Sequence, residues 1–386
     1  MRPENTLSLF LIVVGAFFLP LIARRIRFPN AVAEMIYGMI LGRHFLGWIG
    51  EDDFIKFLSQ LGFAILMFMA GLEIDFNKLK PKPGGALSLS FLVNLWIGLL
   101  GFLLWYFTGW RASFVLGLGC ISIGLGVAFL KEHNLLASRK GQIFLSIGFI
   151  GELASIIILT LIELFSRFGA SLKFVLELAQ LAGIFFIAYV LIRLLRFLIW
   201  WFPEKFQRLL GAEDPLELGV RLSFALLFVF LATSTWLGVE MILGAFIAGA
   251  LFSFVFRERE EIMGKLNSIA QGFFIPFFFI VVGSGFDPKS AFLEASPFLF
   301  LSILLLALFI KLFPSLLVRL RGFSLKEALG LGFLLSAPLT LMVAIAEIGF
   351  QLGLLERSQH SALILLAIIS GLVYPIFASR LLKEES

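Results

Sequence analysis

The sequence contains about thirteen long apolar runs, and this succession limits its possible folds more than any other feature. Each run approaches the roughly 20 residues that an α-helix needs to cross the hydrocarbon core of a bilayer. The runs lack the strand-like alternation that a membrane β-barrel requires. We therefore predict an all-α polytopic membrane protein with about 13 transmembrane helices. They begin near Thr6, Asn30, Phe57, Ala86, Ala112, Ile143, Phe174, Leu216, Val239, Leu266, Pro297, Leu325 and His360.

The composition excludes a soluble protein, because 60% of the 386 residues are hydrophobic and only 15% are charged. The single cysteine, Cys120, rules out a disulfide framework, and three scattered histidines provide no cluster for zinc or iron. The net charge of +5 arises from Lys and Arg in short connections between apolar runs, which indicates topology rather than nucleic-acid binding. We expect no cofactor, no resident metal and no nucleic-acid partner.

Lys and Arg follow the odd-numbered predicted helices, whereas the connections after the even-numbered helices contain few of them. Cytoplasmic connections carry the excess of Lys and Arg in membrane proteins. We therefore predict a protein of the bacterial inner membrane with its N-terminus outside and its C-terminus in the cytoplasm. The residues behind this prediction include Arg24, Arg25, Lys78, Lys80, Lys131, Arg139, Arg196, Lys205, Arg257, Arg259, Arg319 and Arg321.

Two pairs of helices share a sequence pattern. Helices 2 and 9 both contain Glu-Met-Ile followed by two glycines, over Glu34–Gly42 and Glu240–Gly249. Helices 3 and 10 both contain Gly-Phe followed by a later Gly and Asp, over Gly62–Asp75 and Gly272–Asp287. The paired helices lie seven helices apart and so cross the membrane in opposite directions. This is the inverted-repeat plan of secondary transporters.

Such a plan places the substrate site near the bilayer midplane, between the repeats. We predict a single membrane domain over residues 1–386, with inverted repeats over about 6–166 and 216–382 and a linker helix over about 173–200. Packing glycines shared without common ancestry are the alternative interpretation.

A charge deep within a spanning helix is costly, so each one is a candidate functional residue. Glu152 lies near the middle of helix 6, where a carboxyl can hold either a dehydrated monovalent cation or a proton. Competition of the two for one site is sufficient for exchange, although a neutral glutamate that only packs would have the same sequence. The other acids of this kind are expected near helix ends, where water or headgroups reach them: Glu34, Glu163, Glu240 and Glu347.

Lys311 is the second deep charge, about midway through helix 11. Its ammonium could pair with Glu152 when the cation is absent and release it when the cation binds. The alternative is a lysine that extends past Pro314 to reach the membrane surface.

Helices 5 and 12 carry the residues that allow a helix to break at mid-depth. Gly124 follows Ser122 in helix 5, and Pro338 precedes Thr340 in helix 12. A break exposes carbonyls and half-helix dipoles to an ion. Although close packing would also explain glycines alone, the symmetric placement of these residues favours two discontinuous crossing helices.

Several segments resemble one known family along essentially the whole chain. The chain is similar to the sodium/proton exchanger superfamily, and within it to the monovalent cation:proton antiporter-2 group, which includes glutathione-gated potassium efflux systems. The segments are Phe28–Glu34 with Gly38 and Gly42, Leu66–Glu73, Leu130–Glu132, Gly244–Gly249, Phe274–Phe279 with Gly283, Ala337–Thr340 and Ala346–Gly349.

The resemblance implies a homodimer of 13-helix subunits, each with a dimerisation panel and a mobile core domain that works by elevator-like alternating access. It implies that Glu152 occupies the place of the family's ion-binding aspartate in helix 6. Lys311 then matches the basic residue of helix 11, and Ser122 matches the hydroxyl residue of a Thr-Ser pair in helix 5.

The sequence departs from the family pattern at three positions. Gly151 stands where Asn or Asp often precedes the acid, Glu152 stands where the acid is usually Asp, and Ile121 stands in place of the threonine in helix 5. A carboxylate mechanism survives these changes in outline, and a single central acid favours electroneutral exchange.

Three classes of function remain open. The leading hypothesis is an antiporter that exchanges Na⁺ or K⁺ for protons, and the second is a potassium channel-like efflux pathway without obligate proton movement. The third is a non-transporting membrane scaffold or sensor, although retention of two costly mid-membrane charges argues against it. A membrane enzyme has the least support, because the sequence shows no nucleophile–base set, metal cluster or phosphate-binding loop.

Overall fold

The computed structural model describes residues 3–26, 28–50, 52–72, 86–132, 135, 138–201, 217–237, 241–255, 260–287 and 297–382. Within these ranges every regular element is a helix. Ten helices are long and apolar enough to cross a membrane, and three shorter apolar segments bring the number to the thirteen that the sequence predicts. The prediction of an all-α polytopic membrane fold is therefore confirmed.

The helices are numbered α1 to α13 along the chain. α5, α10 and α12 consist of more than one piece, and the other ten are continuous. Their bounds are α1 Pro3–Ile26, α2 Asn30–Leu41, α3 Asp53–Leu72, α4 Ala86–Thr108, α5 Ala112–Gly119 and Gly124–Glu132, α6 Arg139–Phe168, α7 Leu172–Trp201, α8 Leu218–Trp236, α9 Met241–Val255, α10 Glu260–Ile269 and Ile275–Gly285, α11 Pro297–Ser315, α12 Leu325–Leu335 and Leu339–Gln351, and α13 Arg357–Leu382.

Both predicted discontinuous helices are interrupted where the sequence indicates. α5 stops at Gly119 and resumes at Gly124, and the Cys120 backbone between the halves is extended. α12 stops at Leu335 and resumes after Pro338, which has no N–H to continue the first half. The two interruptions leave backbone groups free of intrahelical bonds in the middle of spanning segments.

Two smaller irregularities, which the sequence interpretation did not predict, lie near Pro276 and Pro314. A π-helical turn over Ala270–Phe274 joins the two pieces of α10, directly before Pro276. A 3₁₀ turn over Leu316–Arg321 follows Pro314 at the end of α11. Proline cannot donate to the carbonyl four residues earlier, so the hydrogen-bond pattern changes near it.

The chain divides into two compact units. Unit 1 consists of Met1–Ile22, Glu34–Asn77 and Leu164–Ser284, and unit 2 consists of Ala23–Ala33, Lys78–Glu163 and Gly285–Ser386. Unit 1 thus contains most of α1 and α2, all of α3 and of α7 to α9, and α10 up to Ser284. Unit 2 contains α4, α5, most of α6, and α11 to α13.

Within unit 1, glycines bring helix backbones into direct contact. Gly42, directly after α2, lies against the Ser284 carbonyl of α10, and Gly249 of α9 lies against the Phe68 carbonyl of α3, so that a Cβ at either glycine would overlap the carbonyl. Small residues at such crossings allow the close backbone approach that drives helix association in lipid.

Within unit 2, apolar side chains fill the space between the helices. A buried cluster joins α4, the interruption of α5, α6, α11, α12 and α13, with Val93, Ile123, Phe144, Ile310 and Leu331 among its members. This cluster borders the interruption of α5 at Ile121 and Ile123 and includes the end of the first half of α12 at Leu334 and Leu335.

Several sequence predictions fall on residues outside the described ranges. These are Asp75 and Glu240 of the proposed repeats, Glu73 of the family motif, and the basic residues Lys78, Lys80, Lys205, Arg257 and Arg259.

Candidate functional site

Glu152 lies near the middle of α6 in unit 2, and its side chain has 0% solvent exposure. Its two carboxylate oxygens accept hydrogen bonds from the interruption of α5. Ser122 Oγ lies 3.2 Å from Glu152 Oε1, and the Ile123 backbone N–H donates to Oε2 with an N–O distance of 3.3 Å. The most deeply buried acid therefore meets a helix break, as the sequence predicts for an ion site.

The interruptions of α5 and α12 contact each other through two hydroxyl groups. Ser122 Oγ lies 2.6 Å from Thr340 Oγ1 in the first turn of the second half of α12. Gly124 opens the second half of α5, and a Cβ built there would lie 3.8 Å from Thr340 Oγ1. Pro338 is the residue directly before the second half of α12. Ser122, Gly124 and Thr340, all singled out from the sequence, therefore lie close together where the two interruptions meet.

The second half of α5 presents its N-terminus to the carboxylate. The Ile123 N–H points outward at the start of this half, and its partner is Glu152. Helix N-termini carry a partial positive charge and favour anions close to their first turn. Glu152 is thereby stabilised by backbone as well as by the Ser122 hydroxyl.

Lys311 of α11 is 1% exposed, so its ammonium does not extend to the membrane surface. The Cys120 thiol, fully buried in the α5 interruption, lies within electrostatic range of both Lys311 and Glu152. No ion pair joins Lys311 to Glu152 among the contacts of the described residues. The predicted exchange of partners between cation and lysine stays a prediction.

Asn94 of α4 is a site neighbour that the sequence interpretation missed. Its Nδ2 donates to the Ser90 carbonyl at 2.9 Å and to the Ile147 carbonyl of α6 at 3.0 Å. A Cβ at Gly151 would lie 2.6 Å from Asn94 Oδ1 and 2.8 Å from Ile121 Cδ1, so glycine is the residue that fits there. The available signal was one carboxamide within the otherwise apolar run of helix 4.

The expectation that the remaining acids are solvated is wrong for two of them. Glu34 is 4% exposed and Glu163 is 2% exposed, because neighbouring helices cover positions that lie close to a helix end in the sequence. Glu347 is partly buried, and its Oε1 atom lies 2.9 Å from His360 Nε2. Glu240 lies outside the described residues.

The arrangement offers oxygen ligands to a small cation. The Glu152 carboxylate and the Ser122 and Thr340 hydroxyls converge between two helix interruptions. The described residues contain no group of three or more His, Cys, Asp and Glu side chains that would hold a resident metal. A single carboxylate suits reversible binding of a monovalent cation or a proton.

Comparison with known proteins identifies the family of this chain. The model of the family described as "Sodium/hydrogen exchanger, transmembrane" matches residues 12–384. The chain belongs to this family. It is a family of antiporters, so the protein is a multi-pass membrane transporter and not an enzyme.

Individual relatives match all or nearly all of this chain. It is 32% identical over 410 residues to YjbQ of Bacillus subtilis, whose name describes an Na⁺/H⁺ antiporter, with 100% of this chain and 64% of YjbQ covered. This chain therefore spans less than two thirds of YjbQ. It is 28% identical over 392 residues to a Methanocaldococcus jannaschii protein also named as an Na⁺/H⁺ antiporter, with 96% and 95% covered.

The sodium/proton antiporter MjNhaP1 of Methanocaldococcus jannaschii has the same fold. It aligns with a TM-score of 0.65 over 99% of this chain and 100% of its own, at 14% identity. The resemblance to the exchanger superfamily and the 13-helix architecture are thereby confirmed.

Proposed function

We propose that this protein is a secondary antiporter that exchanges a monovalent cation, Na⁺ or K⁺, for protons by alternating access. Membership of the exchanger family supports cation/proton exchange. The observation that carries the proposal for the site is the Glu152 carboxylate, fully buried and hydrogen-bonded to the interruption of α5. A charged side chain at this depth is too costly to be retained without a function.

Glu152 couples the two ions because it can hold only one of them at a time. A cation needs the ionised carboxylate, whereas a proton converts the same group to a neutral acid and removes the main ligand. Ser122 and Thr340 supply further oxygen atoms for the cation. One acid that binds either ion, and is never carried back empty, gives obligatory exchange.

Lys311 balances the charge of the site when no cation is bound. An ionised carboxylate left alone in a low-dielectric region is strongly unfavourable, and a nearby ammonium reduces that cost. Lys311 is buried, as Glu152 is, and both belong to helices that contribute to the same unit. With a single central acid, the favoured stoichiometry is electroneutral.

Alternating access follows from the burial of Glu152. With 0% exposure its carboxylate cannot exchange ions with water in this conformation. The helices of unit 2 must therefore expose it to one side and then the other, and the half-helices of α5 and α12 are the elements around which this change takes place.

The glycine contacts of unit 1 support the inverted repeats. Gly42, directly after α2, contacts α10 at Ser284, while Gly283 of α10 contacts α2 at Met35. In the other pair, Gly249 of α9 contacts α3 at Phe68, while Gly71 of α3 contacts α9 at Phe246. Since α2 corresponds to α9 and α3 to α10 in the proposed repeats, one reciprocal glycine contact is the counterpart of the other.

The proposal includes the assembly and orientation inferred from sequence. The protein is a homodimer in the plasma membrane, with its N-terminus outside and its C-terminus in the cytoplasm. The alternation of Lys and Arg between successive connections supports the orientation.

The test is a proton-flux assay in proteoliposomes with an acidic lumen and a quenched pH dye. Addition of Na⁺, K⁺ or Li⁺ should relieve the quenching with wild-type protein, and Glu152→Gln should abolish the response. Glu347→Gln is the matched control, because its amide can keep the hydrogen bond to His360. The variants must also elute as folded protein in gel filtration.

Three results would change the proposal. Full activity of Glu152→Gln would make that residue structural and leave antiport without this site. Cation flux without proton movement would indicate the channel-like alternative. No flux of either ion from folded protein would indicate the scaffold or sensor.

A further inference from the structure

A groove of about 410 Å³ lies between α4, the first half of α5 and α6, entirely within unit 2. Its walls are helical stripes, because the lining residues recur every three or four positions. Asn94, Gly98, Gly101 and Trp105 mark the stripe on α4. Such a volume is within the range of small-molecule binding sites.

Much of this space exists because glycines in the lining have no side chains to fill it. A Cβ at Gly98 would have no atom within 4 Å, and one at Gly101 would have only Val115 Cγ1 at 3.9 Å. The space is therefore not filled by neighbouring helices, in contrast to the closely packed glycines of unit 1. An empty space of this size leaves the lining atoms without contacts on one side.

The groove is mainly apolar, and the Asn94 Nδ2 and Ser155 Oγ donors in its lining already have partners. Asn94 Nδ2 donates to two backbone carbonyls, and Ser155 Oγ donates to the Gly151 carbonyl at 2.7 Å. The other lining side chains are aliphatic or aromatic. Water or an ion would find few partners here, because buried water needs two to four polar groups.

The length of the groove matches one leaflet of a bilayer. Asn94 and Trp105 are about 16 Å apart along α4 at 1.5 Å per residue, and half of the hydrocarbon core is about 15 Å. Trp105, Tyr106 and Trp110 lie near the Thr108 end of α4, where aromatic side chains mark the membrane interface. The deep end, at Asn94 and Gly151, is then at the midplane.

The groove is open along its side. Phe102 is 56% exposed, Trp105 42% and Ile158 41%, and all three lie in its lining. These side chains belong to spanning helices, and acyl chains are the apolar molecules available at that depth of a bilayer. We propose that the groove binds one acyl chain of a membrane phospholipid, which enters from the leaflet at the Thr108 end of α4.

The bound acyl chain would end beside the proposed ion site at Glu152. The deep end is formed by Ile121 of the α5 interruption and by Gly151, the residue before Glu152. A bound chain therefore packs against the two segments that hold the carboxylate. The acyl chain leaves one apolar environment for another, so its binding arises from dispersion contacts in the groove and not from removal of apolar surface from water.

Photolabelling tests this proposal independently of transport. Purified protein is reconstituted with a phospholipid that carries a diazirine near the end of one acyl chain, irradiated, and mapped by peptide mass spectrometry. We expect labels on Ile97 and Ile121, which are 5% and 1% exposed and thus out of reach of lipids that only pass over the surface. Labels confined to exposed side chains such as Phe107 would overturn the proposal.

Variants that fill the groove, compared with a matched variant outside it, sharpen the photolabelling experiment. Gly98→Leu should remove the labels on Ile97 and Ile121, because its side chain extends into open space within the groove. Gly183→Leu on α7 also meets nothing within 4 Å and should leave both labels unchanged. Gly101→Val is a second groove-filling variant should Gly98→Leu fold poorly. Undiminished labelling in both groove variants would show that the lipid binds elsewhere.

Discussion

In unit 1, several glycines lie directly against the main chain of another helix, whereas in unit 2 the glycines that have a close neighbour face side chains. Gly38, Gly62 and Gly283 of unit 1 each meet a main-chain carbonyl of another helix. Gly117 and Gly126 of unit 2 meet the side chains of Leu363 and Phe144. A side chain can change its rotamer, but a carbonyl in a helix cannot move without its helix.

The two units also differ in how continuous their helices are. Unit 2 contains both interrupted helices and places Glu152 and Lys311 beside them, at 0% and 1% exposure. In unit 1 the described irregularity is the π turn of α10. This turn connects the two pieces of α10 without a break in the helical backbone. Contacts that cannot adjust suit a rigid support, while side-chain packing around broken helices suits a region that changes conformation during transport.

The largest expected effect concerns the glycine contacts of unit 1. Gly249→Leu should lower the free energy of unfolding by about 1–3 kcal/mol. The added side chain overlaps the Phe68 carbonyl, so the two helices must separate. Thermal unfolding followed by gel filtration measures this loss. Gly98→Leu in unit 2 is the control, since its Cβ meets open space. Equal midpoints for the two variants would remove the distinction between the units.

Lys311→Met should separate stability from activity in unit 2. We expect about a tenfold lower exchange rate, equivalent to about 1.4 kcal/mol, because the empty site loses its balancing charge. The unfolding midpoint should rise, since removal of a buried ammonium saves its desolvation cost. Lys326→Met, at an exposed position, should change neither quantity. A fall in stability together with activity would indicate that Lys311 is structural.

The sequence was sufficient for features that depend on a single helix. Apolar length located the thirteen segments, proline and glycine located the interruptions at Gly124 and Pro338, and depth within helix 6 singled out Glu152. It could not identify features that depend on which helices are neighbours. The contact of Asn94 with α6, the burial of Glu34 and Glu163, and the groove beside α4 all require the three-dimensional packing of several helices.

The Ser122–Thr340 contact joins the two interruptions, and its removal should have a moderate effect. Ser122→Ala and Thr340→Val should each lower the exchange rate about three- to tenfold and cost about 1 kcal/mol of stability. The double variant should be little worse than either single one, with a coupling energy of about 1 kcal/mol. Ser336→Ala is the control, because its hydroxyl bonds only to Gly332 within its own helix. Strictly additive effects would mean that the two hydroxyls act separately.

Asn94→Leu should have the smallest effect on turnover. The two lost hydrogen bonds should cost about 1–3 kcal/mol of stability, because the Ser90 and Ile147 carbonyls lose their side-chain partner. The bond to Ile147 holds α6 about one turn before Glu152, so its loss lets the carboxylate shift relative to Ser122. The half-saturating cation concentration should therefore rise about two- to threefold, which is below 1 kcal/mol, while the maximal rate is retained.

Ser155→Ala is the matched control for Asn94, since it removes a hydrogen bond that stays within α6. It should leave the half-saturating concentration unchanged. If Asn94→Leu instead abolished exchange in folded protein, the carboxamide would have to contact the ion itself. Unit 2 would then contain a second ligand group beside Glu152, contributed by a continuous helix, and the helix interruptions would no longer account for the site alone.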